Sequence, residues 1–198
     1  MKIDLLKYSS SNTSNVKRLF KKVFNQEIHE INDLNISSDI LILPGVGNFE
    51  FVKNELDHKG IVRELLNTNF KKIFGICLGM HLLQKDSEEC ENGRLDGYKF
   101  GNKSVVSIAS EINHRKVHTG WNKVVFVDKK LSFLNGYYFF SHSFGVLWSG
   151  DEDELAYYEI NNKRFVAFFC LNKFMGVQFH PELSGEKGRL LIKHFINS

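Results

Sequence analysis

A doubly wound α/β fold, with a mostly parallel central sheet flanked by helices and an additional β-rich second half, is the class this sequence predicts. Three observations carry it. The apolar, strand-sized runs Ile40-Leu41-Ile42-Leu43 and Ile73-Phe74-Gly75-Ile76 suit parallel strands covered on both faces. Strand-like and helix-periodic segments alternate as far as Leu83, which is the pattern of a parallel sheet with crossover helices. From Tyr98 onward the segments become short and rich in β-branched and aromatic residues.

Taken in order, Lys2 to Lys7 form a short first strand, and the polar run Tyr8 to Asn15 has loop chemistry. Ser14 or Asn15 is placed to cap a helix whose apolar positions Val16, Leu19, Phe20 and Val23 recur at helical spacing. Ile28 to Ile31 supplies a second strand. Ile40 to Leu43 is the third, and it stops at Pro44-Gly45-Val46-Gly47, where glycines let backbone N–H groups turn outward toward an anion. Ile61, Val62, Leu65 and Leu66 share one face of a helix expected between Ile61 and Phe70. Next comes Lys71 to Ile76 as a strand, a sharp turn at Cys77, and a helix through Leu83. In the second half, Ser104-Val105-Val106, Val124 to Val127, Tyr137 to Phe140, Ala156 to Tyr158, Arg164 to Phe169 and Phe174 to Phe179 read as strands. They form a mixed or antiparallel region that extends the sheet and adds a second layer. Glu186 to Ile196 closes the chain as a helix with Ser184 as its N-cap.

The 198 residues fit a single domain with a sizeable core. A net charge of +3, with lysines scattered among acidic residues, outlines no nucleic-acid footprint. The longest apolar runs are strand-sized, far short of the ~20 residues that span a bilayer. No signal-peptide pattern opens the chain, and a cytoplasmic protein is expected. Three cysteines without metal-ligand spacing suit a reducing compartment, so neither a disulfide, a metal nor another cofactor is expected.

The chemistry gathers at the turn. Gly75 and Gly79 flank Cys77 and allow a tight strand-to-helix corner that holds the thiol at a helix N-terminus, where free N–H groups and the helix dipole favour the thiolate. The competing reading is a cysteine that fills a helix–sheet core. A thiolate nucleophile needs a base and a group to orient that base. Of eight histidines, His180 follows an apolar strand, precedes Pro181, and has Glu182 two residues on. In an extended segment those two side chains point the same way, so the carboxylate reaches one imidazole nitrogen while the other faces the thiol.

Together, Leu43-Pro44-Gly45-Val46-Gly47, Gly75-Ile76-Cys77-Leu78-Gly79-Met80, Ser87-Glu88-Glu89, His118-Thr119-Gly120-Trp121-Asn122, Ser141-His142-Ser143 and Gly176 to Glu182 resemble the class I glutamine amidotransferase family. The resemblance runs from near residue 1 to the last helix and is greatest to the HisH group, the glutaminase subunits of imidazole glycerol phosphate synthase. It implies that Cys77 attacks the side-chain amide of L-glutamine, that His180 moves the protons, and that Glu182 orients His180. It further implies an oxyanion site at the N–H groups of Leu78 and of the Val46-Gly47 turn. Substrate contacts would come from Gly47, His81, Glu89 at the α-ammonium, and His142, Ser143 and Phe144 at the α-carboxylate. The partner so implied is a (β/α)8-barrel synthase subunit of the HisF type, joined as a heterodimer and receiving the ammonia. Relatives that feed ammonia to a surface-sugar amidinating enzyme are the alternative, and a subunit that only binds its partner is a third.

The chain departs from the family pattern at several places. His81 stands where glutamine is usual, as a substituted substrate contact or a change in tuning. Lys7-Tyr8-Ser9-Ser10-Ser11-Asn12 lacks the usual acid and glycines of the first loop, Leu183 replaces the lysine after His-Pro-Glu, and Phe144 replaces a tyrosine.

Overall fold

The computed structural model describes residues 1–33, 38–61, 65, 70–109 and 117–197. Its first half comprises β1 (Ile3–Leu6), α1 (Ser14–Phe24), β2 (His29–Ile31), β3 (Ile40–Leu43), α2 (Phe49–His58), β4 (Lys72–Ile76) and α3 (Leu78–Leu83). The second half adds β5 (Asp86–Ser87), β6 (Leu95–Asp96), β7 (Ser104–Ser107), β8 (His118–Phe126), β9 (Gly136–His142), β10 (Phe144–Val146), β11 (Glu154–Ile160), β12 (Lys163–Leu171), β13 (Phe174–Val177) and α4 (Gly185–Asn197).

Nine strands form one sheet in the order β2-β1-β3-β4-β13-β12-β11-β8-β9. From β2 to β13 all neighbours are parallel, and from β13 to β9 all are antiparallel. A smaller sheet, β10-β7-β5-β6, supplies the second layer. Alternation along β3 shows how the large sheet is covered. Ile40 and Ile42 join a core with Val16, Leu19 and Phe20 of α1 and Leu191 and Ile192 of α4. Leu41 and Leu43 face the other way, into a core with Phe49, Val52 and Leu56 of α2 and Leu78 and Leu82 of α3. Helices on both faces explain why β3 is apolar at every position.

Three adjacent parallel strands end at one edge. Leu43 of β3 pairs with Gly75 of β4, and Val177 of β13 pairs with Ile76, so Pro44, Cys77 and Gln178 all leave the sheet on the same side. Sites in such sheets form beyond the carboxyl ends of the strands.

Some elements differ from expectation. The helix expected between Ile61 and Phe70 lies mostly outside the described residues; Ile61 and Leu65 are buried. α2 was not anticipated: Asn48 caps it by accepting the Phe51 N–H through its side chain, and Phe49, Val52 and Leu56 face the core. Ser184 precedes α4, but its hydroxyl does not cap it. That oxygen donates to the His180 carbonyl at 2.6 Å and accepts the Phe139 N–H at 3.0 Å, which ties the chain after β13 to β9. Thr13, rather than Ser14 or Asn15, precedes α1, and its hydroxyl bonds Glu30 instead of the helix.

Candidate active site

Cys77 is the single residue between β4 and α3, with φ 46° and ψ −104°. A side chain at positive φ is strained, and surrounding structure must impose it. The two flanking glycines do so. A Cβ on Gly75 would lie 2.5 Å from the Gly79 carbonyl atoms, and one on Gly79 would lie 2.3 Å from the Leu43 carbonyl oxygen. Only bare backbone lets α3 fold back this tightly over β4 and β3. The Cys77 N–H donates to Val177 O at 2.7 Å, which fixes the corner to β13. All three cysteines are free thiols, and Cys77 is the buried one.

His180 is 4% exposed, and its Nδ1 lies 2.8 Å from Glu182 Oε1. The extended geometry expected for this pair is not what joins them. Pro181–Leu183 forms a 3-10 turn with proline at its start, and that turn brings the carboxylate back to the ring. The His180 N–H donates to Phe139 O at 2.8 Å. With Nδ1 facing the carboxylate, Nε2 is the nitrogen left for the thiol. Burial pulls the imidazole toward neutrality, but the hydrogen bond and charge of Cys77, then those of Glu182, outweigh it and push the pKa up to about 10. At neutral pH the arrangement holds an imidazolium beside sulfur.

Cys77, His180 and Glu182 open into a cavity of about 390 Å³. Val46, Gly47, Leu78, His81, Glu89, His142, Ser143 and Phe144 line the same cavity, so the structure gathers every residue singled out from the sequence around one space. Glu88 and its neighbour separate clearly. Glu88 is held by Arg94 and by the Ser107 N–H, whereas the half-buried Glu89 meets Asn48 Nδ2 at 3.4 Å and faces the cavity. Burial raises the Glu89 pKa to about 7 against the opposing Phe49 N–H and Asn48 bonds. The His142 ring is fully engaged: Nδ1 donates to Phe144 O at 2.8 Å, and Nε2 accepts from His118 Nδ1 at 3.0 Å. His142 therefore has its backbone, rather than its ring, free to face the cavity, at the break between β9 and β10.

Three residues that the sequence did not assign to the site also shape it. Ser184 binds both the His180 and Phe139 backbones, as described. Ser10 Oγ donates to Val46 O at 3.1 Å and thereby holds the peptide that joins Val46 to Gly47. Gln178, fully buried, places its Nε2 3.6 Å from Cys77 Sγ. A glutamine inside an otherwise apolar strand run was the available signal, because a buried amide must find partners.

The model of the family described as "Glutamine amidotransferase class-I" matches residues 5–198. "Imidazole glycerol phosphate synthase subunit HisH 2" of Methanococcus maripaludis is 34% identical over 98% of both chains. The HisH subunit of Pyrococcus furiosus is 32% identical over 98% of this chain and 97% of its own. Among solved structures, one described as a glutamine amidotransferase superposes with a TM-score of 0.74 at 18% identity over 100% of this chain and 98% of its own, and PurLQS from Thermotoga maritima with 0.71 at 15% over 99% and 97%. Those two likenesses concern the fold. End-to-end relatives above 30% identity and a family model covering nearly every residue say more: the chain belongs to the class I glutamine amidotransferases, in their HisH branch.

Proposed function

We propose that this chain is the glutaminase subunit of an imidazole glycerol phosphate synthase, hydrolysing L-glutamine to glutamate and ammonia and passing the ammonia to a (β/α)8-barrel synthase subunit of the HisF type. The observation that carries it is the Cys77, His180 and Glu182 arrangement in the lining of a cavity that Glu89 also lines. Cys77 sulfur attacks the amide carbon, and the N–H groups of Leu78 and of the Val46-Gly47 turn receive the oxyanion, each donor of this type being worth about 3 kcal/mol. His180 Nε2 protonates the departing ammonia as the C–N bond breaks, leaving a γ-glutamyl thioester. The same nitrogen then takes a proton from water, whose oxygen displaces sulfur and yields glutamate. Glu182 fixes the ring through Nδ1. The relatives at 32–34% identity carry the synthase name over their full lengths, which favours the histidine-pathway acceptor over surface-sugar amidination. A cytoplasmic, single-domain heterodimer subunit is part of the same reading, and no helix among the described residues is long and apolar enough to cross a membrane.

The glutamine analogue diazo-oxo-norleucine, an electrophile, tests the site. One adduct per chain at Cys77, located by mass spectrometry, is expected; equal labelling of Cys90 or Cys170 overturns the assignment.

Glu89 is the group proposed to meet the substrate α-ammonium, so it must be ionised to bind. Its pKa near 7 means that the carboxylate is increasingly protonated as pH falls below that value. Steady-state assays are expected to show KM for glutamine rising from pH 8 to pH 6 with kcat little changed. Glu89→Gln removes this dependence and raises KM by about 10- to 100-fold throughout.

Delivery of ammonia calls for a docking face beside the cavity. Trp121 and Tyr137, on the outer face of the β8 and β9 edge, are 57% and 62% exposed. Trp121 packs edge-on against Phe139, which lines the cavity with Leu183. Exposed aromatics contiguous with a site mark interfaces. Trp121→Lys is expected to weaken binding to the barrel subunit by roughly 30-fold, read by titration calorimetry, while diazo-oxo-norleucine labelling of Cys77 persists.

A further inference from the structure

Two polar side chains beside the nucleophile have no part in the reaction steps above. Gln178 is fully buried just past β13, and His81, 3% exposed, lies within α3. His81 Nε2 is 2.8 Å from Gln178 Oε1, and Gln178 Nε2 is 3.6 Å from Cys77 Sγ. We propose that His81 is a positioning residue for the Cys77 thiolate, acting through Gln178 by fixing which end of the carboxamide faces the sulfur.

A carboxamide has one donor end and one acceptor end. Cys77 Sγ also lies 3.9 Å from Ser141 O, and whatever His81 presents at Nε2 decides which end of the Gln178 amide it meets. When Nε2 carries the hydrogen, it donates to Oε1, and the amide N–H2 is turned to the sulfur, where it stabilises negative charge. The opposite tautomer accepts at Nε2, reverses the amide, and aims the Oε1 lone pairs at a thiolate. Burial keeps the His81 ring neutral, with its pKa lowered to about 4 against the Gln178 bond. The arrangement thus supplies an oriented dipole without adding a second cation beside His180. Around the sulfur, the other titratable groups are His180 after β13, Tyr8 after β1 and Tyr158 on β11; burial first, and then the Cys77 charge, push both tyrosines well above their usual range, so they stay neutral. Beside the sulfur the charged group is His180, which Glu182 holds at Nδ1, and Gln178 is the neutral donor.

This inference rests on Cys77 as the nucleophile, and the two are separable by one experiment. The rate of iodoacetamide alkylation at each cysteine of the full chain is followed against pH by mass spectrometry. Wild-type Cys77 reacting no faster than Cys90 and Cys170 defeats the nucleophile reading itself. Given a fast Cys77, His81→Leu and Gln178→Leu are each expected to raise its alkylation midpoint by about 1 pH unit and to lower kcat about 10-fold with KM within about twofold. The double variant shifts no further, because the two act in series. His81→Gln, which keeps an N–H for Oε1, recovers most of the shift. His81→Phe fills the ring's space without an N–H and carries the test if His81→Leu does not fold. Additive shifts in the double variant overturn the proposal. So does a His81 variant that leaves the midpoint unmoved and raises KM, which makes His81 a direct substrate contact.

Discussion

Cys77→Ala is expected to abolish glutamine-dependent glutamate release in the presence of the barrel subunit and its acceptor, a loss of at least roughly 10⁴-fold in kcat. Sulfur forms the only covalent bond between protein and substrate in the proposed sequence, so oxyanion donors and binding contacts left behind cannot substitute for it. Stability moves in the other direction. The backbone at Cys77 has φ 46°, a conformation that costs of order 1–3 kcal/mol for a residue with a Cβ. Cys77→Gly relieves that strain, offset by about 0.5–1 kcal/mol for the added freedom of glycine in the unfolded chain. A net gain of roughly 1 kcal/mol is expected, or about 2–4 °C in the thermal midpoint for a chain of this size, together with complete loss of activity. Calorimetry and a glutamate assay on the same preparation check both halves. A Cys77→Gly protein that is less stable than wild type shows that the corner is held without strain.

The parallel half of the fold was legible because its strands are buried on both faces. β3 is apolar at every position and β4 from Ile73 onward, which is the texture of strands covered on both faces. α2 escaped notice because Glu50, Lys53, Asn54 and Glu55 dilute its three core positions, and because its cap, Asn48, directly follows a glycine turn that already looked like a complete loop. β8 shows a different limit. Val124 to Val127 stood out, but the strand begins at His118, where half-exposed and polar residues are held extended by pairing with β9 across seven registered positions. Pairing between distant segments leaves little trace in either segment by itself.

At the site, residues that do chemistry were easier to find than residues that hold them. A cysteine between glycines and a His-Pro-Glu run are conspicuous because each breaks the local pattern. Ser184 and Ser10 are ordinary serines in polar company, and their roles exist only through backbone atoms brought close by folding: the His180 and Phe139 peptides for one, the Val46 carbonyl for the other. The pairing of His180 with Glu182 was anticipated for the wrong geometric reason. Extended alternation was expected to align them, yet Pro181 starts a 3-10 turn and the contact is made across it.

The turn at Cys77 also sets the second large effect. Gly79→Ala is expected to destabilise the protein by about 3 kcal/mol or more and to lower activity at least 100-fold at temperatures where it remains folded. Propensity argues the other way, since alanine within a helix is favoured over glycine by about 1 kcal/mol. Sterics decide the sign. The new Cβ would lie 2.3 Å from Leu43 O and 2.8 Å from Leu43 Cβ, and a carbonyl at the end of β3, on a residue paired with Gly75 of β4, cannot swing aside as a flexible side chain can. Overpacking of this kind costs about 1–3 kcal/mol even where neighbours yield, and here the neighbour is sheet backbone. At about 2–4 °C per kcal/mol, the thermal midpoint is expected to fall by roughly 6–12 °C. Relief requires α3 to lift away from β3, and Cys77 is joined to the first residue of that helix. A displacement of about 1 Å at a nucleophile is worth about 100-fold in rate, so the activity loss should exceed what unfolding explains. A Gly79→Ala variant with a raised midpoint and full activity shows that α3 does not press on β3 and removes the physical basis for the flanking glycines at this corner.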